Sequence, residues 1–488
     1  MLIQFVVANF HSFHEPVAFT LTATGDESHP DHVLSPFEGA PGVLRAAAIY
    51  GANASGKSNL ILAMQFAQEL VLRGRRVGQS IRVRTFELSG GEEKEPAQFQ
   101  WIFHYQGRTW SYGLAVETRR VVSEWLYATP DAAPLSNGST PAASRKPKEE
   151  LWFERKTDED GQTKVAFGKA LKGTGKVAER RLKDIESGTR AVQPFLTEAI
   201  ERNVEALNPV FEWFNNVLTI IRAESEYAPL VAHVVNNADF TKFLNLKIRE
   251  AGTGIQEIVS EQRELDWERD FPEVSTEDRA AMESRVELLK EDQSLLISAD
   301  EISGVGSSTM LKKGEGRIIA HLLRARHRKA NGGFVDFPIE CESEGTQRLI
   351  HLIPALFLLQ SRPVVLVVDE LDRRLHTLLS RRFIEGALQY SCEKGEAKNE
   401  GGQLIFTSHD TNLLDLDLLR RDEIWFIEKD ESGASHLSSL AEFKVRKELR
   451  VEKGYLSGRF GAIPFFGNPR YLGLDEANLP KAELAQTA

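Results

Sequence analysis

The sequence predicts an α/β fold: a mixed, largely parallel sheet flanked by helices, with antiparallel strands at the N-terminal end and a helical insertion. Three stretches carry that prediction. The apolar run Leu44 to Tyr50 passes through Gly51-Ala-Asn-Ala-Ser-Gly-Lys-Ser58 into the apolar-periodic stretch Asn59 to Phe66, which reads as strand, glycine turn and helix. Val364 to Val368 is a second apolar run and ends in Asp369 and Glu370; Gln403 to Ser408 is a third and ends in His409. An uninterrupted apolar run of this kind reads as a parallel strand buried on both faces.

Taken in chain order, Leu2 to Phe10 and Gln98 to Val116 read as strands, the latter a hairpin turning at Gln106-Gly107. Residues 1–128 are therefore expected to form a first lobe around the glycine turn. From Thr129 to about Glu150 the composition shifts to Pro, Ala, Ser, Asn and Lys, a surface loop or linker. Ala178 to Asn216 and Thr241 to Leu296 are rich in helix formers, broken at Gly252, Gly254 and Pro272, so 129–298 are expected to be linker and helical insertion. Heptads are not sustained, and any arm is short. From Glu257 to Glu291 acids outnumber bases, and Glu261, Glu264, Asp266, Glu268, Asp270, Glu273, Glu277 and Asp278 read as a solvated helical face, with a docking surface for a basic partner as the alternative. Residues 299–473 return to alternating strands and helices, and 474–488 form a polar, loosely held tail.

Composition narrows the class. A chain of 488 residues has room for two or three domains of about 150 residues each. No run approaches the roughly 18 apolar residues of a membrane span, and no basic region precedes a cleavable apolar segment, so the expectation is a cytoplasmic protein without membrane contact. Cys341 and Cys392 are the only cysteines, which excludes a disulfide framework or a cysteine metal site. A net charge of −11 argues against a chain that coats nucleic acid over its whole surface. Basic clusters at Arg73 to Arg84, Lys169 to Lys183 and Arg324 to Lys329 read first as solvated faces, leaving a local nucleic-acid groove as the second reading.

The glycine turn carries the most specific chemistry. Gly51 and Gly56 allow the backbone N–H groups to face a polyphosphate, and the helix N-terminus behind them adds positive dipole. Lys57 would reach the β- and γ-phosphates of a nucleoside triphosphate and the Ser58 hydroxyl would ligate Mg²⁺, with Asn53, Ser55 and Asn59 completing the binding loop. Two carboxylates at the end of an apolar strand suit the same site: Asp369 to hold Mg²⁺ and Glu370 to polarise the attacking water.

The order of motifs resembles ATP-binding-cassette ATPases, in particular the SMC/RecF-like branch and the prokaryotic AAA-type proteins of the RloA, AriA and abortive-infection kind. The residues that carry the resemblance are Asn9-Phe-His-Ser-Phe13, Gly51 to Ser58, Glu342-Ser-Glu-Gly-Thr346, Val367-Val-Asp-Glu-Leu-Asp372 with His376, Thr407-Ser-His-Asp410, Arg421-Asp-Glu-Ile-Trp-Phe426 and Tyr455-Leu-Ser-Gly-Arg-Phe-Gly461. It implies an ABC-type P-loop ATPase head in which Ser343 and Gly345 cap the γ-phosphate of ATP held by a second copy. Asp372 would lie in the loop between the two sites, and His409 would contact the γ-phosphate. Glu344 stands where the signature commonly has glycine. Gln98 and Gln100 are the candidates for the glutamine of the Q-loop, with ordinary strand positions as the alternative.

Related ATPases carry a C-terminal Toprim nuclease, and Asp415-Leu-Asp417 has a matching spacing. It lies in an expected short amphipathic helix, and fewer than eighty residues follow His409 where that fold needs on the order of 100, so no nuclease is expected in this chain. The resemblance then implies a homo-oligomeric ATPase that controls a separately encoded nuclease or toxin in anti-phage defence. The alternatives are a RecF-like ATPase that binds DNA and, third, a transporter subunit.

Overall fold

The computed structural model describes residues 1–37, 39–76, 78–88, 95–130, 148–172, 176–224, 227, 229–297, 308–389, 401–443, 451–456, 458 and 460. The tail from 474, most of the linker after Thr129, Cys392, part of the Tyr455 to Gly461 motif and the side chain of Lys176 lie outside the described residues.

A six-stranded sheet runs in the order Leu218–Ile221, Val365–Val368, Gln403–Thr407, Ala46–Tyr50, Ile424–Lys429, Ser435–Ser439. Its first five strands are parallel and the last is antiparallel. The inner strands are apolar at successive positions because both faces are covered. Ala47, Ile49, Val367 and Ile405 point into one core; Ala48, Tyr50, Leu366 and Phe406 point into the other. The helix Lys57–Arg73 fills the first core together with an antiparallel sheet, and helices Glu344–Ser361 and Thr377–Gln389 cover the second.

That antiparallel sheet has seven strands, in the order Thr163–Phe167, Glu150–Thr157, Val121–Pro130, Arg108–Val116, Ala97–Tyr105, Leu2–Ala8, Val17–Thr20. Its hairpin turns at Gln106 (φ 50°) and Gly107 (φ 70°) as the sequence predicts, because two left-handed residues match the twist of the paired strands. The boundary expected at residue 128 cuts this sheet, since Glu150–Thr157 and Thr163–Phe167 extend it.

The helical insertion expected at 129–298 is in fact mixed. Leu218–Ile221 belongs to the parallel sheet, and Ile255–Glu264 and Ser294–Ile297 join Thr309–Gly314, Arg317–Arg328 and Phe334–Pro338 in a third, outer sheet. Its longer helices are Lys176–Gly188, Ala238–Glu250 and Thr276–Glu287. Cross-strand pairing explains the error. Glu257 meets Arg326 at 2.8 Å and Glu261 meets Arg324 at 2.5 Å, so acids that favour a helix locally are satisfied by a strand some sixty residues away. Asp270 is likewise engaged by Arg263 and Arg269, with its side chain fully covered, so much of the acidic face is neutralised within the chain.

Candidate active site

The loop after Ala46–Tyr50 is shaped by two left-handed residues, Ala54 (φ 63°) and Gly56 (φ 118°). A Cβ on Gly56 would lie 2.4 Å from Ser435 Oγ and 2.9 Å from Ser12 Oγ, so only glycine fits. Those two serines brace the loop from outside it. Ser435 Oγ donates to the Ser55 carbonyl at 2.6 Å, and Ser12 Oγ lies 2.7 Å from Ser435 Oγ and accepts from Asn59 Nδ2 at 2.8 Å. Lys57 is buried, and its Nζ donates to the carbonyls of Gly51 at 2.6 Å and Ala52 at 3.0 Å. Burial lowers its pKa to about 8 against the opposing pull of Glu370, Asp369 and Asp372.

The acidic strand meets this loop two strands away. Ser58 Oγ donates to Asp369 Oδ1 at 3.4 Å, which sets a hydroxyl beside a carboxylate, the donor pair that Mg²⁺ takes. Thr407 Oγ1 donates to Asp369 Oδ1 at 2.7 Å and accepts from the Glu370 N–H at 2.7 Å. Glu370 has φ 48°, a left-handed conformation held by that bond; its Oε1 lies 3.9 Å from His409 Nε2 and its Oε2 3.4 Å from Arg373 Nη1. The His409 N–H reaches both Asp372 oxygens, at 3.2 and 3.3 Å. Burial first, then the Lys57 ammonium, lower the His409 pKa, which favours the neutral ring.

A cavity of about 540 Å³ is lined by residues 53–59 together with Glu370, His409 and Lys429. Thr407→Val would leave the Glu370 N–H unsatisfied and Asp369 Oδ1 with only its longer bond from Ser58. The expected outcome is a fall in ATP turnover of roughly ten- to hundredfold with little change in nucleotide affinity, read by steady-state kinetics and equilibrium binding side by side.

A family model described as "AAA domain, putative AbiEii toxin, Type IV TA system" matches residues 46–415, a span that holds the loop, the acidic strand and His409. The chain belongs to this family. Among solved structures, it is similar to the SMC head domain from Thermotoga maritima, at 15% identity over 90% of this chain and 98% of that chain, with a TM-score of 0.32. It is also similar to the recombination mediator protein RecF with ATP, at 14% identity over 90% of this chain and 99% of that chain, with a TM-score of 0.33. A search of curated proteins finds no match. The P-loop, the parallel sheet and the helices that flank it form the head of this AAA-family chain, and no helix among its described residues is long and apolar enough to cross a membrane.

Gly51, Asp369 and Asp372 adjoin the cavity through Lys57, Ser58 and His409 without lining it, and two further expected site residues of this AAA-family head, Ser343 and Gly345, belong to the start of another helix. Ser343 is exposed, caps helix Glu344–Ser361 and accepts from the Thr346 N–H at 3.2 Å; Gly345 packs so closely that a Cβ would lie 2.6 Å from the Arg374 carbonyl. Arg374 also pairs with Glu344 at 3.2 Å, which ties the signature segment to the Asp372 loop. Gln98 and Gln100 are corrected: both sit in the antiparallel sheet and neither lines the cavity, with Gln100 bonded to Ser111 at 3.0 Å. Residues at the C-terminal ends of parallel strands reach a nucleotide, and on the strand beside the acidic one these are Arg222 and Glu224; Glu224 holds Arg373 at 3.0 Å. Asp415 is engaged by Arg381 at 2.7 Å and accepts from the Asp417 N–H in a turn after the 3-10 segment Thr411–Leu413, so the expected amphipathic helix is absent there. Arg348, buried on the signature helix, donates to the Asp369 carbonyl at 3.3 Å, and burial lowers its pKa to about 10. The sequence reading assigned no role to Thr407, Ser12, Ser435, Arg348 or Lys429. Thr407 was the findable one, since it stands at the end of an apolar strand two residues before His409.

Proposed function

We propose that this chain is a cytoplasmic, Mg²⁺-dependent ATPase whose two sites are each completed by another copy, and that this assembly controls a separately encoded nuclease or toxin in anti-phage defence. The observation that carries the reading is the division of the site. Lys57, Ser58, Glu370 and His409 line one cavity, with Asp369 joined to it through Ser58, whereas Ser343 is exposed and lies outside it. Bound Mg²⁺ would neutralise the triphosphate between Ser58 and Asp369. The chain's own groups do the rest: the loop N–H groups and Lys57 hold the phosphates, and Glu370, oriented by Thr407, accepts the proton of the attacking water beside His409. Ser343 and Gly345 of one copy would close over the γ-phosphate held by the other. The family description, with its toxin and Type IV TA system, supports the setting of cellular defence.

Complementation tests the shared site. Lys57→Ala and Ser343→Arg chains are each expected to be inactive alone, and co-expressed pairs are expected to regain hydrolysis through the one site that receives an intact half from each. Pairs as inactive as their parts would remove the composite site.

The outer sheet suits transmission to a partner. Its strand Phe334–Pro338 runs directly into the signature, and His327 Nε2 pairs with Glu342 at 2.7 Å. Glu268, Glu273 and Glu277 remain exposed on that unit. Reversing these three charges is expected to abolish co-purification of the neighbouring gene's product at unchanged ATPase rate; undiminished co-purification would sink the docking face. The basic cluster near Arg324 does not favour a DNA reading, because Arg324 is held by Glu261 and Arg326 by Glu257 and Asp336.

A further inference from the structure

The segment between Val17–Thr20 and Ala46–Tyr50 is laced to the stretch Leu416 to Glu423 by residues that do not line the nucleotide cavity. Thr24 donates twice to Asp422 at 2.8 Å, and Arg420 donates to the carbonyls of Asp26 and Ser28. At the centre of this seam stands His29-Pro-Asp-His32, in which one donor atom from each of His29, Asp31 and His32 lies within 4.8 Å of the others. His29 has φ 42°, which turns its ring beside that of His32, with centroids 4.8 Å apart. Two imidazoles sharing one ion at about 2.0–2.1 Å hold their centroids about 5 Å apart, so the rings already stand at a suitable separation.

A second observation points the same way. His29 Nε2 lies 2.9 Å from the Leu416 carbonyl, which can only accept, so Nε2 carries the hydrogen and Nδ1 presents a lone pair. His32 Nδ1 lies 3.0 Å from Oε2 of the fully buried Glu423 carboxyl. The Glu423 carboxyl thus engages Nδ1 and leaves Nε2 as the ring nitrogen free of that contact. A carbonyl or carboxylate behind each ring is the outer support that metal-binding histidines use. Asp31 is exposed, which leaves a further position open to water.

We propose that His29, Asp31 and His32 bind one divalent transition-metal ion of the zinc type, bracing the N-terminal segment against the Leu416 to Glu423 stretch. The test uses the full chain, stripped with chelator and free of nucleotide, titrated with Zn²⁺ by calorimetry and with Co²⁺ by visible absorption. One equivalent of either ion is expected, with the absorption of low-coordinate Co²⁺ and a rise in melting temperature on adding Zn²⁺. His29→Ala and Asp31→Asn are each expected to lower affinity at least about a hundredfold while hydrolysing ATP at the parent rate, and Asp31→Asn, at an exposed position, is expected to melt like the parent without metal. Glu423→Gln is expected to weaken Zn²⁺ binding about 10- to 100-fold. Absence of a bound equivalent, or equal binding by the His29→Ala chain, would overturn the site and leave a hydrogen-bonded histidine pair; neither result bears on the ATPase reading.

Discussion

Glu370→Gln is expected to lower ATP turnover by about 10²- to 10⁴-fold, the usual contribution of a positioned general base, while ATP binding persists. The carboxylate lines the cavity, 3.9 Å from His409 and 3.4 Å from Arg373. The groups that would hold the triphosphate and Mg²⁺, Lys57, Ser58 and Asp369, are unchanged by the substitution. ATP therefore stays intact in the site, and if binding closes two copies on each other, the closed pair accumulates. Mass measurement in solution with and without ATP, beside single-turnover hydrolysis, reads both halves of the expectation. Turnover at the parent rate removes Glu370 as the base; slow turnover without ATP-dependent association removes the shared site.

Lys57→Ala is expected to weaken ATP binding about a hundredfold or more and to take hydrolysis below detection. Charge-assisted hydrogen bonds are worth about 1.5–3 kcal/mol each, and one ammonium would serve two phosphates. The fold without nucleotide should not suffer, because the native lysine is buried at a desolvation cost that the alanine does not bear. Parent-like melting with lost binding is therefore the diagnostic pair of results. The same lysine sets a pH dependence. With its pKa near 8 in the free protein, it is charged below that pH and ready for phosphate. A bound triphosphate raises the pKa, so above about pH 8 binding must take up a proton. Affinity should then fall by up to tenfold per pH unit in the parent, and this slope should vanish in Lys57→Ala. A parent affinity that is flat from pH 7 to 10 would contradict the assignment.

The nucleotide half of the site was legible because its information is local. The glycines, lysine and serine of 51–58 lie between a strand and a helix, and Asp369 and Glu370 end a run of valines and leucine, so each chemical group is written next to the element that aims it. The parallel sheet was legible for the same reason: burial on both faces leaves an apolar run that needs no partner to be recognised. The third sheet was not. Glu257 and Glu261 look like helix formers until Arg326 and Arg324 are set across from them, and nothing in either segment names the other.

What the sequence by itself determined is thus an α/β head with a phosphate loop and an acidic strand. Tertiary structure alone decided which side chains support them. Thr407 orients Glu370 from the next strand, Ser12 and Ser435 clamp the loop from 47 and 380 positions away along the chain, and Arg348 joins the signature helix to Asp369. Hydrogen bonds of a few ångströms between residues so far apart exist only once the sheets have closed, and side-chain type alone does not encode them.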